Sequence, residues 1–426
     1  MANKKYTQQS DVITAIDVGT TKICTIVARK VNGEYPEVIA HSVVNCSGLK
    51  KGNVEDIALT AEAIRQSLVE VRGKTDTPIG SAYIGITGSH VTFDNRIDNL
   101  DGVGRQGVIT ADEVNNIPDL VTAGAATYGR EIIHAFPKTY RVDGHNGISN
   151  PTGMHAEGVE VVSHVVSAGS SFVRDLEKAV TGAGLKVKGM VLEPLASSEA
   201  ILSSREKNKG AAIVDIGGGT TDIVVFKKGT IDYTSVIPVG GYQFTNDICV
   251  TYNTPYQEAE KTKIQYANTE PSYIDMREEI SLPVSNSNST TTIYRRDLCQ
   301  LMRERTLELI RLIDLNLQQA GLRQGSNDTV VLTGGASTMP GFFEMAQQFI
   351  PNCNIRMGVP EHLSGMSEEL EAPPYATGVG ILLYGFRQEI AADKADIAQV
   401  RGTHFSGSRG GILGKIKGIF LSLIHI

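Results

Sequence analysis

Val214-Asp-Ile-Gly-Gly-Gly-Thr-Thr-Asp-Ile-Val-Val-Phe226 carries apolar residues on both sides of a glycine triplet. Ala211 to Val214 lead in and Ile223 to Phe226 lead out, so the stretch reads as a strand, a tight turn and a second strand running back. Gly217, Gly218 and Gly219 at the tip let backbone N–H groups approach a ligand with no Cβ in the way. The ligand such a nest prefers is an anion, above all a phosphate. Asp215 stands just before the glycines and Asp222 just after, while Thr220 and Thr221 offer hydroxyls. A carboxylate beside a phosphate cradle makes sense where a hydrated Mg²⁺ lies between them. An ordinary glycine hairpin would show the same letters, and one short motif does not decide between the two.

A second copy decides. Ile13-Thr-Ala-Ile-Asp-Val-Gly-Thr-Thr-Lys-Ile-Cys-Thr-Ile-Val27 has the same grammar: strand, Asp17, a turn of Gly19, Thr20 and Thr21, then Lys22 and a returning strand. An approximate internal repeat of this kind implies two similar halves. Two phosphate hairpins, one from each half, would clamp a nucleotide between them. Neither copy leads into a helix through G-K-[ST], which excludes a P-loop.

The 426 residues suffice for two or more domains with proper cores. The formal net charge of −7 argues against a general nucleic-acid binder, which presents a basic face. Five scattered cysteines, with no CxxC pair, give neither a zinc site nor a disulfide framework and suit a reducing compartment. No apolar run reaches the ~18–20 residues that a spanning helix needs, and the polar first ten residues do not read as a signal peptide.

Along the chain, the first-lobe core is expected over 11–88, with 159–204 and 374–388. Between them, 89–158 is polar and glycine-rich with a small helix near Ala111–Ala125, and reads as an inserted subdomain or a long functional loop. Pro194 in Glu193-Pro-Leu-Ala-Ser-Ser198 suits the first turn of a helix. The second-lobe core is expected over 205–240 with 301–373, and an outer subdomain over 241–300. Gly240-Gly241 precedes one helix there, and Glu260 and Lys263 lie on another. Thr333-Gly-Gly-Ala336 ends a strand, Tyr375–Tyr384 is a small-residue helix, and 389–410 reads as a linker.

In this order the parts resemble the superfamily of ATP-binding folds shared by actin, heat-shock chaperones and sugar kinases. Asp17 to Thr21 match its first phosphate motif, Asp215–Asp222 its second, and Thr333–Ala336 its adenosine motif. Glu193–Ser198 and Tyr375–Gly380 match its two connecting helices. Within it the chain resembles the FtsA family of bacterial cell-division proteins. Four further stretches carry that likeness: Gly48-Leu-Lys-Lys-Gly-Asn-Val-Glu-Asp56, Tyr83-Ile-Gly-Ile-Thr-Gly-Ser-His90, Asn150-Pro-Thr-Gly153 and Pro374-Tyr-Ala-Thr-Gly-Val-Gly380. The fold implied is α/β and two-lobed, with a duplicated βββαβα core, a small α/β subdomain inserted in the first lobe and a C-terminal amphipathic helix.

The resemblance implies a protein that binds ATP and Mg²⁺, forms filaments with itself, holds the C-terminal tail of FtsZ, helps bring in later division proteins and sits at the cytoplasmic face of the membrane. It implies that Asp17 and Asp215 position Mg²⁺ through water. Gly19, Thr20, Thr21, Lys22, Gly217, Gly218, Gly219, Thr220 and Thr221 would surround phosphate, and Gly240, Gly241, Glu260, Lys263, Gly334, Gly335 and Ala336 would hold the rest of the nucleotide. Glu193 matches a water-orienting position, although a helix-start carboxylate favoured by the dipole reads the same. The chaperones' catalytic lysine has no match, so at most slow hydrolysis is expected. Arg295 and Arg296 are the basic pair expected to meet the carboxylates of an FtsZ tail, or else form a solvated helix start. A kinase or ATPase of the same fold, or a pilus-assembly protein like PilM, is the competing reading.

The end of the chain carries its own argument. At about 100° per residue, Ile412, Leu413, Ile416, Ile419 and Phe420 fall within an arc of roughly 120° while Lys415 and Lys417 lie outside it. Residues 411–426 thus read as a basic amphipathic helix for anionic lipid, the alternative being a docked core helix. From Leu421 the pattern fails, and Leu421-Ser-Leu-Ile-His-Ile426 matches a translated library adapter, so we expect the natural tail to diverge there. Deleting 411–426 should abolish co-sedimentation with anionic vesicles, and unchanged sedimentation would refute the lipid reading.

Overall fold

The computed structural model describes residues 12–31, 35–104, 107–322 and 328–403, with 394–403 as backbone only. The first lobe begins with β1 (Val12–Val18), β2 (Lys22–Arg29) and β3 (Glu37–Asn45). A short hairpin, β4 (Leu49–Lys50) and β5 (Asn53–Val54), then leads to α1 (Ile57–Arg72), which the Asp56 carboxylate caps by accepting from Leu59 N–H. Strand β6 (Ser81–Ile86) pairs parallel to β1, as a helical crossover permits.

The chain then leaves for the insert: β7 (Thr92–Asn99), α2 (Ala111–Ala125), β8 (Arg130–Val142), β9 (His145–Ile148) and β10 (Val159–Gly169). Its sheet runs β7-β10-β8-β9. This corrects the expected end of the insert at 158. Strand β10 pairs antiparallel with both β7 and β8, so it is the centre of the inserted sheet rather than a return to the first lobe. Its alternating valines are buried, as expected, but against the insert's own core of Ile117, Val121 and Tyr140.

Helix α3 (Ser170–Gly182) and β11 (Lys186–Leu192) complete the first sheet, in the order β11-β6-β1-β2-β3. Helix α4 (Glu193–Ile201) and α5 (Ser204–Lys209) cross to the second lobe. There β12 (Ala211–Ile216), β13 (Thr221–Lys227) and β14 (Thr230–Ile237) repeat the opening. Next come α6 (Gly241–Tyr252), α7 (Tyr256–Tyr266), a hairpin of β15 (Glu279–Pro283) and β16 (Thr290–Tyr294), and α8 (Arg295–Gln319). β17 (Thr329–Thr333), α9 (Phe342–Phe349) and β18 (Asn354–Met357) close a second sheet ordered β14-β13-β12-β17-β18. The two sheets match strand for strand, each adding a fifth strand to the expected βββαβα run.

Helix α10 (Ala376–Thr403) returns to the first lobe, packing on α4 and along β1, β2 and β6. The linker expected from 389 is therefore helical as far as Thr403. Glu389 is buried against the first lobe, where Tyr83 Oη donates to it at 2.9 Å and Lys30 and Lys188 pair with it. Lys30 also reaches Asp393 at 3.1 Å. These contacts, with Ile390 packed on the core, hold the start of that stretch to the first lobe.

Helices α4 and α10 cross where Gly380 lies on Ala196; a Cβ on Gly380 would overlap the Ala196 carbonyl. Gly378 has more room, its Cβ meeting Cys24 Sγ at 3.3 Å. Gly→Ala ordinarily stabilises a helix by about 1 kcal/mol, but here the backbone contact must open. Gly380→Ala is expected to destabilise the protein by about 1–3 kcal/mol in denaturant unfolding, and Gly378→Ala by clearly less; equal effects would show that the crossing is not close-packed.

Candidate nucleotide-binding cleft

The two repeated hairpins meet tip to tip. In each, the first turn residue donates its N–H across the turn, Gly19 to Lys22 O at 3.0 Å and Gly217 to Thr220 O at 2.9 Å. In each, an aspartate lies two residues earlier, Asp17 opposite Cys24 and Asp215 opposite Asp222. A Cβ on Gly218 would meet Thr21 Cγ2 at 2.8 Å, and one on Gly219 would meet Thr20 Oγ1 at 2.5 Å. Glycine is therefore required where the lobes touch.

The second turn is held from behind. Gly241 N–H donates to Gly217 O at 2.9 Å and Tyr242 N–H to Gly218 O at 2.6 Å, so the start of α6 binds the carbonyl side of the turn. The same turn, Gly217 to Thr220, also lines the cleft. Gly240 packs against the same turn, where a Cβ would meet Gly217 O at 2.7 Å.

Between the hairpins lies a cavity of about 120 Å³, lined by Asp17, Gly19 to Lys22, Glu193, Asp215, Gly217 to Thr220, Gly334 and Gly335. One water needs roughly 10–15 Å³ on this measure, so the space is polar and roomy. Val18, Asp222 of the second motif, and Gly52, Thr87, Pro374 and Thr377, which were not among the expected site residues, complete the wall. Thr221 faces away and donates to Val239 O at 2.8 Å. Ala336, Glu260 and Lys263 are also outside this cavity. Lys263 bonds Glu260 at 2.7 Å and Gly241 O at 3.2 Å, bracing α7 against the start of α6.

Asp215 is the meeting point of the connecting helices. Its Oδ2 accepts from Ser197 Oγ on α4 at 2.5 Å and from Thr377 Oγ1 on α10 at 2.9 Å. Gly334, with φ of +86°, leaves no room for a Cβ against Asp215 Oδ1. Asp222 accepts from Thr220 Oγ1 at 2.7 Å and from Thr87 Oγ1, which belongs to the first lobe. Ser197 and Thr377 could be suspected from the hydroxyls in the two helix motifs; Thr87 becomes a site residue only once the lobes are brought together.

Four carboxylates converge here. Burial pushes Asp17 up to about 7, with Asp215 nearby adding to the rise and Lys22 opposing it. Burial likewise pushes Asp222 up to about 7, against the hydroxyls of Thr87 and Thr220. Burial raises Asp215, and it raises Glu193 well above the usual carboxylate range with help from Asp17, Asp222 and Asp215. Lys22, whose Nζ donates to Pro374 O at 2.6 Å and lies 3.9 Å from the Tyr375 ring centroid, is the only lysine or arginine among the described residues of the wall. Crowded buried carboxylates with one cation are the donor chemistry that a hydrated divalent metal satisfies. Direct ligation by three or more His, Cys, Asp or Glu side chains occurs nowhere among the described residues.

The other expected sites divide. Arg295 is tied internally, donating to Glu278 at 2.9 and 3.1 Å and to Tyr266 O at 2.9 Å, whereas Arg296 is exposed. Ile412, Leu413, Ile416, Ile419 and Phe420 lie outside the described residues. No helix among the described residues is long and apolar enough to cross a membrane.

The family model "Cell division protein FtsA" matches residues 212–380, and "SHS2 domain inserted in FTSA" matches 88–167, in accord with the corrected insert. The cell division protein FtsA of Pseudomonas aeruginosa is 33% identical over 384 residues, covering 90% of this chain and 91% of its own. That of Neisseria meningitidis serogroup B is 30% identical, covering 88% and 90%, and that of Escherichia coli K12 is 27% identical, also covering 88% and 90%. Among solved structures, the PilM–PilN type IV pilus biogenesis complex aligns with TM-score 0.60 at 18% identity, over 88% of this chain and 98% of that one. MreB5 of Spiroplasma citri bound to AMPPNP aligns with TM-score 0.50 at 13% identity, over 92% and 99%. The fold is thus the actin-like one, and at one-third identity across nine-tenths of both chains the protein belongs to the FtsA family of cell-division proteins.

Proposed function

We propose that the protein is an ATP-dependent adaptor of the division machinery. It would bind Mg-ATP in the cleft, assemble with copies of itself, hold the C-terminal tail of FtsZ on the outer subdomain and attach to the cytoplasmic face of the membrane through its last residues. The observation that carries the nucleotide reading is the pair of duplicated aspartate hairpins whose glycine tips face each other across a carboxylate-lined cavity. Glycine N–H groups of the turns would bind phosphate oxygens, and Asp17 and Asp215 would hold Mg²⁺ through its waters. Bound Mg²⁺ supplies neutralisation of phosphate charge. Glu193 is the one wall carboxylate on a connecting helix and is the base for any slow hydrolysis.

A neutral Asp17 or Asp222 cannot hold a metal's hydration shell as a carboxylate does. Their values lie near 7 against an ordinary 3.8, so in the ligand-free protein they ionise only as pH rises through neutrality. Mg-ATP should therefore raise the melting temperature more at pH 8 than at pH 6. Gly218→Val, which fills the phosphate approach, and Asp215→Ala should each remove the shift at both values; a full shift in either variant would exclude the clamp.

For the partner, Arg296 is now the better candidate, since Arg295 already neutralises Glu278. Arg296→Glu should weaken binding of an FtsZ tail peptide about ten-fold with no change in the Mg-ATP shift. Unchanged peptide affinity would remove the start of α8 from that surface.

A further inference from the structure

The hairpin of β4 and β5 contributes Gly52 to the wall of the cleft. Its turn is Lys51-Gly52, both residues in the left-handed region with φ of +50° and +77°. Two contacts place it. Gly52 N–H donates to Thr20 Oγ1 at 3.3 Å in the first phosphate hairpin. In the second, a Cβ on Gly219 would lie 2.8 Å from Lys51 Cα and 3.0 Å from Lys51 N. Beneath, Gly52 packs so closely on Gly88 and Thr87 that its own Cβ would meet them at 3.0–3.1 Å. One short turn thus touches the tips of both hairpins at once.

Charge indicates its use. A polyphosphate entering this cavity meets Asp17, Glu193, Asp215 and Asp222, while Lys22 is already engaged by Pro374 O and the Tyr375 ring. Lys50 pairs with Glu55 at 3.9 Å. Lys51 is exposed and takes part in no ion pair among the described residues. Its side chain is a flexible four-carbon stem that ends in a compact charge.

We propose that Lys51 is the cation that contacts the terminal phosphate of a bound nucleoside triphosphate, and that it makes the cleft distinguish triphosphate from diphosphate. The proposal rests on the nucleotide reading above. With a terminal phosphate present, the ammonium joins the turn to both hairpins. With a diphosphate it has no partner, and only the backbone contacts to Thr20 and Gly219 remain.

The test is calorimetric titration of the full chain with Mg-ATP and Mg-ADP. Asparagine tolerates left-handed backbone, so Lys51→Asn removes the charge and keeps the turn. It should weaken Mg-ATP about ten-fold and change Mg-ADP by less than about two-fold. Lys51→Arg should restore the ratio, and Lys50→Asn should leave it unchanged. Equal losses for both nucleotides, no loss for either, or an equal loss in Lys50→Asn would overturn the assignment. A wild-type chain that binds neither nucleotide would overturn the nucleotide reading and the assignment with it, whereas a binding wild type with an unaltered ratio in Lys51→Asn sinks the assignment alone.

Discussion

A carboxylate removed from water must be hydrogen-bonded or neutralised, and Asp215 is placed where that demand falls on four segments at once. Ser197 brings α4 to it, Thr377 brings α10, Gly334 brings the end of β17, and its own strand brings the second glycine turn. The helix crossing at Gly380 and Ala196 holds the two hydroxyl donors together. The same small residues that let α10 approach α4 therefore also orient the acid that faces the cavity.

The second lobe solves a related problem at its turn. A glycine triplet is floppy in isolation, since glycine gives up more conformational freedom on ordering than any other residue. Here its carbonyls are taken by N–H groups at the start of α6, groups that a helix leaves unpaired in any case. Two unsatisfied sets satisfy each other, and the turn gains one rigid face. Lys263 on α7, which donates to Gly241 O, continues that support outward.

How much of this could be read in the letters depends on the range of each interaction. The hairpins are legible because glycine, aspartate and strand periodicity all lie within a dozen residues, and the repeat confirms them. The insert's last strand is misplaced because burial of Val159 to Val166 looks the same whichever sheet receives it. The stretch from 389 reads as a linker because the residues that hold Glu389, namely Lys30, Lys188 and Tyr83, are distant in sequence. Arg295 looked free because its partner, Glu278, stands across a hairpin. Cleft residues such as Thr87 and Asp222 belong to opposite lobes, so no local pattern announces their pairing.

The insert also reaches the second lobe. Lys138 on β8 pairs with Asp232, His164 Nε2 lies 3.2 Å from Thr234 Oγ1, and the Phe93 and Tyr233 rings meet edge to face at 5.0 Å between centroids. All three partners sit on β14, at the edge of the second sheet and one strand beyond β12 and β13, against which α4 packs. Two bodies held by a pair of crossing helices can pivot about them as a door does. A fastening off that axis, added to the Thr87–Asp222 contact in the cleft, resists the pivot. Rotation of one lobe against the other then requires either shearing these contacts or carrying the insert along, so the insert's posture becomes an external gauge of how far the cleft is open.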